Sequence, residues 1–209
     1  MPPRRTLQAR DLAPRKRPGQ ARSQATCEAL VEAGARLLPR LSYAGLTTNH
    51  IAERAGVSIG SLYEYFPGKD AIVAQVAERL VDRVLRRLAK EAARVASVPE
   101  DDALRAWIGA IHETALRERA LLAVFAYQVP YTNRLEVLRS ASARLLEFSH
   151  ELRRNAGSWV RQELSPATMR LIVNLVSSTI LELVLDPPAD ATQAELLDEL
   201  ALRISAWLR

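Results

Sequence analysis

From Ser23 to Leu208 apolar residues recur three or four positions apart, and no run of β-branched residues alternates between tight-turn signals. That periodicity dictates an all-α chain, divided by its glycines and prolines. The spacing predicts a first helix from about Gln20 or Ser23 to Leu38, where Pro39 weakens continuation. Two short helices follow, Thr48 to Ala55 and about Ser58 to Phe66, separated by Gly56 and Val57 and closed by Pro67 and Gly68. A longer helix is expected from about Lys69 to Ala96, with another opening at Glu100, Asp101 and Asp102, whose charges suit a helix N-terminus. A segment from about Arg119 to Val129 precedes a long helix over 133–163, in which Leu138, Leu145, Leu152 and Trp159 lie seven apart. Ser165 and Pro166 read as N-cap and first residue of a helix to Leu185, and Thr192 to Leu208 completes the chain.

The formal charge of +5 has one source. Residues 1–70 hold 11 Lys/Arg against 6 Asp/Glu, whereas residues 71–209 hold 18 of each. Within residues 1–22, Arg4, Arg5, Arg10, Arg15, Lys16, Arg17 and Arg22 face Asp11 alone, with Pro2, Pro3, Pro14 and Pro18 among them. Residues 1–20 are therefore expected to be a disordered cationic arm, suited to phosphate or simply solvated. No stretch free of charge reaches the roughly 20 residues of a membrane span; Ala120 to Asn133 is the longest, and Leu171 to Leu181 is the most apolar of the others. Cys27 stands alone, and no apolar signal segment opens the chain, which is consistent with a cytoplasmic protein.

Residues 47–69, TTNHIAERAGVSIGSLYEYFPGK, have helix-turn-helix spacing. Ile51, Ala52, Ala55, Val57, Leu62 and Phe66 supply a small apolar interface between two helices, and Gly56 falls where the turn needs a positive φ. The second helix could then enter a major groove with its N-terminal residues at base edges. Gly60 allows close approach, Ser58 and Ser61 offer hydroxyls, Ile59 can meet a thymine methyl, and Tyr63, Tyr65 and Lys69 can reach phosphates. Two amphipathic helices around a glycine also occur in proteins that never touch DNA.

Through Thr47-Thr48, Ile51-Ala52, Ala55-Gly56-Val57-Ser58, Gly60, Leu62-Tyr63, Tyr65-Phe66 and Lys69 the sequence resembles the tetracycline-repressor-like (TetR) family of transcriptional regulators. The motif covers about residues 20–75. It implies a three-helix DNA-binding domain at 21–68, a helical effector-binding and dimerisation domain at 69–209, and a homodimeric repressor released from double-stranded operator DNA by a small molecule. It also implies that Thr48 and Asn49 start the supporting helix at the DNA backbone, that Ser58 to Ser61 face bases, and that Tyr63, Tyr65 and Lys69 hold phosphates. Two residues depart from the family pattern: Ser42 stands where glycine is frequent, and Pro39 lies in the last turn of the first helix.

By the same resemblance the last two helices pair with a second copy. Leu171, Ile172, Leu175, Val176, Ile180, Leu183, Val184, Leu197, Leu200 and Ile204 are the expected interface, although such stripes also build monomer cores. An effector pocket would be mainly apolar with a few polar groups, drawn from Trp107, Ile111, His112, Phe125, Tyr127, Gln128, Tyr131, Trp159 and Asn174. Each of these could equally serve the core. An enzyme is disfavoured: His50, His112, His150 and Cys27 fall in no nucleophile or metal-ligand spacing, and no Gly-rich phosphate loop, H-E-x-x-H or G-x-S-x-G is present. Neither a metal nor a cofactor is expected. A sequence-tolerant DNA-coating protein is the competing binding function.

Overall fold

A computed structural model of the chain describes residues 12–15, 21–98, 100–155 and 164–208. Among them the elements are helical: α1 (Ala21–Gly45), α2 (Thr48–Ala55), α3 (Ile59–Tyr65), α4 (Lys69–Val95), α5 (Glu100–Arg117), α6 (Arg119–Tyr127), a 3-10 turn (Thr132–Arg134), α7 (Glu136–Arg139), α8 (Ala141–Asn155), α9 (Pro166–Leu185) and α10 (Gln193–Leu208). They divide into two compact units. The first takes the described residues up to Leu80 together with Ala123–Leu138, and the second takes Val81–Leu122 with Arg139–Arg209. The first unit therefore runs past residue 68, because Ala71, Ile72, Val73 and Val76 of α4 are fully buried and belong to its core. A Cβ on Gly34 of α1 would stand 2.9 Å from Ile72 Cγ2, so the bare glycine lets α1 and α4 pack closely.

α1 does not stop at Leu38. Pro39 lies inside it, and the chain leaves helical geometry only at Ser42, with φ 60° and ψ 166°. A proline costs one backbone hydrogen bond, which the penultimate turn of a helix anchored by buried Leu30, Val31 and Leu38 tolerates. The Ser42 conformation is one that glycine alone adopts without strain. Its side chain gives partial compensation, since the Gly45 N–H donates to Ser42 Oγ at 3.4 Å.

α2 ends in a Schellman turn: Gly56, with φ 68°, donates its N–H to Glu53 O, and Val57 donates to Ala52 O. Three helix starts follow the hydroxyl rule. Thr47 caps α2, Ser58 caps α3 and Ser165 caps α9. Thr192 and Glu195 form a reciprocal capping box at α10, in which the Thr192 N–H donates to Glu195 Oε2 and the Glu195 N–H to Thr192 Oγ1. The Thr192 hydroxyl, which donates to Glu195 Oε2 at 2.7 Å, and after it the Thr192 N–H hold the Glu195 carboxyl below its ordinary pKa.

The second unit packs α5, α9 and α10 around Ile108, Val176, Ile180, Val184, Leu200, Ala201 and Ile204. Of the residues expected at a dimer face, Val176, Ile180, Leu183, Val184, Leu200 and Ile204 are buried within one chain, and Ile172, Leu175 and Leu197 are half-buried against the same core. Leu171 remains exposed, joined by Leu181, Leu202 and Trp207. A correction concerns the helix expected over 133–163. Its start is broken into the 3-10 turn and α7, and α8 begins beyond Ser140, whose carbonyl accepts the Arg144 N–H. Leu138 falls in the first unit and Leu145 in the second, so the seven-residue spacing marks no single seam. Trp159 lies outside the described residues.

Glu118, at the end of α5, is buried, and Arg83 of α4 grips both its oxygens at 3.1 and 3.0 Å. Among the described residues α9 alone is long and apolar enough to cross a membrane by length and composition, but it carries Arg170 and Glu182 and gives one face to the core.

Candidate DNA-binding surface

α2 and α3 are too short to be stable alone and depend on their shared core of Ile51, Ala52, Leu62 and Phe66, each at most 4% exposed. Over residues 58–63 what that core leaves outside carries no charge, while Glu53, Arg54 and Glu64 are exposed elsewhere on the two helices. Ser58, Ile59 and Gly60 are exposed at the first turn of α3, with Ser61 half-buried beside them. Ser58 is partly committed, for its Oγ accepts the Ser61 N–H at 3.1 Å and shares a hydrogen bond with Ser61 Oγ at 2.9 Å. Gly60 has a conventional helical backbone, and a Cβ there would find nothing closer than Ser58 Oγ at 3.8 Å. The fold itself does not require glycine at this position.

Tyr63 is 42% exposed, and its hydroxyl is hydrogen-bonded to Thr48 Oγ1 at 3.1 Å, tying α3 to the start of α2. Asn49 is exposed in that first turn, and Tyr65 is half-buried. Lys69 departs from its expected role. Its ammonium donates to Tyr43 O at 2.8 Å and Leu46 O at 3.0 Å and lies 4.3 Å from the centre of the Tyr43 ring. Two of its three donors thus cap the end of α1, which makes Lys69 a clamp on the α1–α2 connection rather than a free phosphate cation.

Beside this clamp stands a polar cluster. Tyr43 and Tyr131 both donate to Asp70 Oδ1, at 2.7 and 3.1 Å, their rings meet edge to face at 5.7 Å, and the Tyr43 N–H donates to Gln128 Oε1. Burial first, and then the Asp70 carboxylate, push both phenols above the ordinary tyrosine range. Gln128 and Tyr131 were expected in an effector pocket. The structure sets them, with buried Phe125, in the first unit, where they tie its 123–138 segment to Tyr43 of α1 and Asp70 of α4.

The remaining pocket candidates divide. Tyr127 is 67% exposed and Asn174 is exposed, so neither lines an interior in the single chain. Trp107 packs against Phe148 with ring centres 6.2 Å apart, and Ile111 borders the second unit's core. His112, next to Ile111 on α5, is buried, and among the described residues its Nε2 has no hydrogen-bond partner. Among the described residues no cluster of three potential metal ligands occurs.

Arg15 is a contact that sequence reasoning missed. Its backbone N–H donates to Tyr65 O at 2.7 Å and its guanidinium to Tyr63 O at 3.2 Å. Residues 12–15 of the expected disordered arm are thereby fastened to the first unit, with Leu12 and Pro14 half-buried. Nothing distinguishes Arg15 from its neighbouring cations in the sequence. The rest of the arm lies outside the described residues.

The chain thus holds a helix-turn-helix in its first unit and a second helical unit. Residues 30–76 match the family model for bacterial regulatory proteins of the tetR family. No curated protein matches the sequence. Among solved structures, the chain is similar to a candidate TetR-family transcriptional regulator from Mesorhizobium loti, with TM-score 0.67 and 16% identity over 90% of this chain and 98% of that one. It is similar to the fatty acid degradation regulator FadR of Bacillus halodurans, at TM-score 0.61 and 17% identity over 90% and 95%. It also resembles FadR of Thermus thermophilus, a TetR-family repressor solved with lauroyl-CoA, at TM-score 0.54 and 22% identity over 85% and 92%. Residues 30–76 thus match the tetR-family model, and the chain shares the fold of these solved structures.

Proposed function

We propose that this chain is a cytoplasmic, homodimeric repressor that binds operator DNA through α2 and α3 and is released by a small-molecule effector. The observation that carries the DNA-binding reading is the first turn of α3, where an exposed glycine with no internal reason to be glycine lies between two serines and an exposed isoleucine. A surface that must approach a base edge closely explains that choice. Thr48, Asn49, Tyr63 and Tyr65 then meet phosphates on either side.

Two copies are needed to cover two half-sites roughly 34 to 36 Å apart. Leu171 and Leu181 of α9 and Leu202 and Trp207 of α10 support such pairing, as four large apolar side chains left exposed by the second unit's core. His112 supports an effector in the second unit, because a buried and unpartnered ring nitrogen is stabilised by a polar group on a ligand. Moving the protein from 99:1 bound-competent to 1:99 requires about 5.5 kcal/mol of differential effector affinity.

The test is selection of duplexes from random DNA, followed by fluorescence anisotropy of the full chain and of Gly60→Glu. The native chain should enrich one sequence and prefer it by roughly a thousandfold. Gly60→Glu should keep its helical signal and lose binding through bulk and repulsion from phosphate. A folded Gly60→Glu variant with undiminished affinity contradicts the docking. Salt-sensitive binding without sequence preference favours the coating protein instead.

A further inference from the structure

We infer that Gln128 and Tyr131 are positioning residues for DNA binding, which act through Tyr43 and Asp70 on the connection that places α2 and α3. The inference rests on the proposed function, in which α2 and α3 meet the DNA. Both residues lie beyond the 30–76 stretch that matches the family model.

The connection from α1 to α2 begins at the strained Ser42 and ends at Thr47, the N-cap of α2. A residue in such a conformation persists only where its surroundings over-determine it. The next residue, Tyr43, is held from three sides. Its N–H donates to Gln128 Oε1 at 3.1 Å, its carbonyl accepts from the Lys69 ammonium at 2.8 Å, and its hydroxyl donates to Asp70 Oδ1 at 2.7 Å. Tyr131 donates to the same Asp70 oxygen at 3.1 Å and meets the Tyr43 ring edge to face. These residues all belong to the first unit.

Gln128 is the clearest case of such a tie. Its side chain is exposed and fills no core, yet its oxygen accepts the backbone N–H of a residue 85 positions earlier. The turn that presents it is braced separately, for Thr132 Oγ1 donates to Phe125 O at 2.7 Å, and Val129 and Tyr131 are buried. Between Tyr43 and the DNA-facing residues the chain has little slack. Leu46 is buried, its carbonyl accepts from the Lys69 ammonium at 3.0 Å, and Thr48 Oγ1 is bonded to the Tyr63 hydroxyl of α3 at 3.1 Å. A displacement of Tyr43 therefore carries to Thr48 and Tyr63, two of the proposed phosphate contacts. Binding constellations tolerate only about 0.5 Å of misplacement.

A tie that merely stabilised the fold would leave the affinity of the folded protein unchanged. Loss of one interaction in a coupled network shifts affinity by about 2- to 30-fold, and that is the effect expected here on DNA.

The experiment measures anisotropy of the native chain, Gln128→Ala, Tyr131→Phe and Leu135→Ala on the duplex that the native chain selects from random DNA, with thermal unfolding and the hydrogen-exchange rate of the Tyr43 amide followed for each. Leu135→Ala truncates a buried side chain of the same 123–138 segment and removes no bond of the cluster, so it reads lost stability alone. At a temperature where all four are folded, Gln128→Ala and Tyr131→Phe should each bind at least about threefold more weakly. Gln128→Ala should also speed exchange of the Tyr43 amide, and Leu135→Ala should unfold earlier and bind as the native chain does. Native affinity in either cluster variant overturns the inference, as does an unchanged Tyr43 exchange rate in Gln128→Ala. An affinity loss in Leu135→Ala equal to theirs overturns it too, since the effect is then one of stability. A native chain that selects no duplex overturns the regulator reading, and this inference with it.

Discussion

Ser42 is a serine held in a backbone conformation that favours glycine. The connection from α1 to α2 needs a conformation at φ 60° and ψ 166°, and a serine adopts it here. Such strain costs about 1 to 3 kcal/mol, partly offset by the Gly45 N–H on Ser42 Oγ and by the Lys69 clamp on the adjacent carbonyls. Ser42→Gly should therefore stabilise the protein by about 1 kcal/mol after the greater chain entropy of glycine is counted. Urea unfolding measures it, and a less stable variant would show that the hydroxyl outweighs the strain. From the sequence, Ser42 stood out only as a departure from the family pattern; its backbone angles follow from tertiary closure and were not legible.

At the scale of elements, hydroxyl caps were a reliable guide, and prolines were so except at Pro39, which α1 runs through. α2, α9 and the start of α4 fall where Thr47, Ser165 with Pro166, and Pro67-Gly68 place them. The long helix over 133–163 was misjudged because the seven-residue leucine spacing does not reveal that its residues serve different units. Long-range polar contacts were also hidden, since nothing local in the sequence joins Tyr43 or Asp70 to Tyr131, 88 and 61 residues on. That cluster has a titration signature. Both tyrosines have folded pKa values above the unfolded value of about 10, so their contribution to stability is present below pH 10 and is lost as pH rises beyond it. Ultraviolet titration of the native protein should find two of the five tyrosines ionising late, and Tyr131→Phe should remove one of them. A titration curve unaltered by Tyr131→Phe would contradict the cluster.

For the whole molecule, the all-α class and the helix-turn-helix were legible because short-range periodicity and turn chemistry encode them. The division of apolar residues between core and partner was not, because α9 is apolar on several faces and only packing decides which are used. The exposed set of Leu171, Leu181, Leu202 and Trp207 predicts that Leu202→Glu, a change at a side chain 61% exposed in the single chain, converts a dimer to a folded monomer in light scattering. A native chain that is already monomeric would refute that pairing. The account's central claim concerns sequence-specific DNA binding, and it is tested most directly by anisotropy of the purified chain on its selected duplex against a scrambled one, at near-physiological and at raised salt. It predicts a preference of roughly a thousandfold that persists as salt is raised. Equal affinity for the two duplexes, vanishing together with salt, would contradict it.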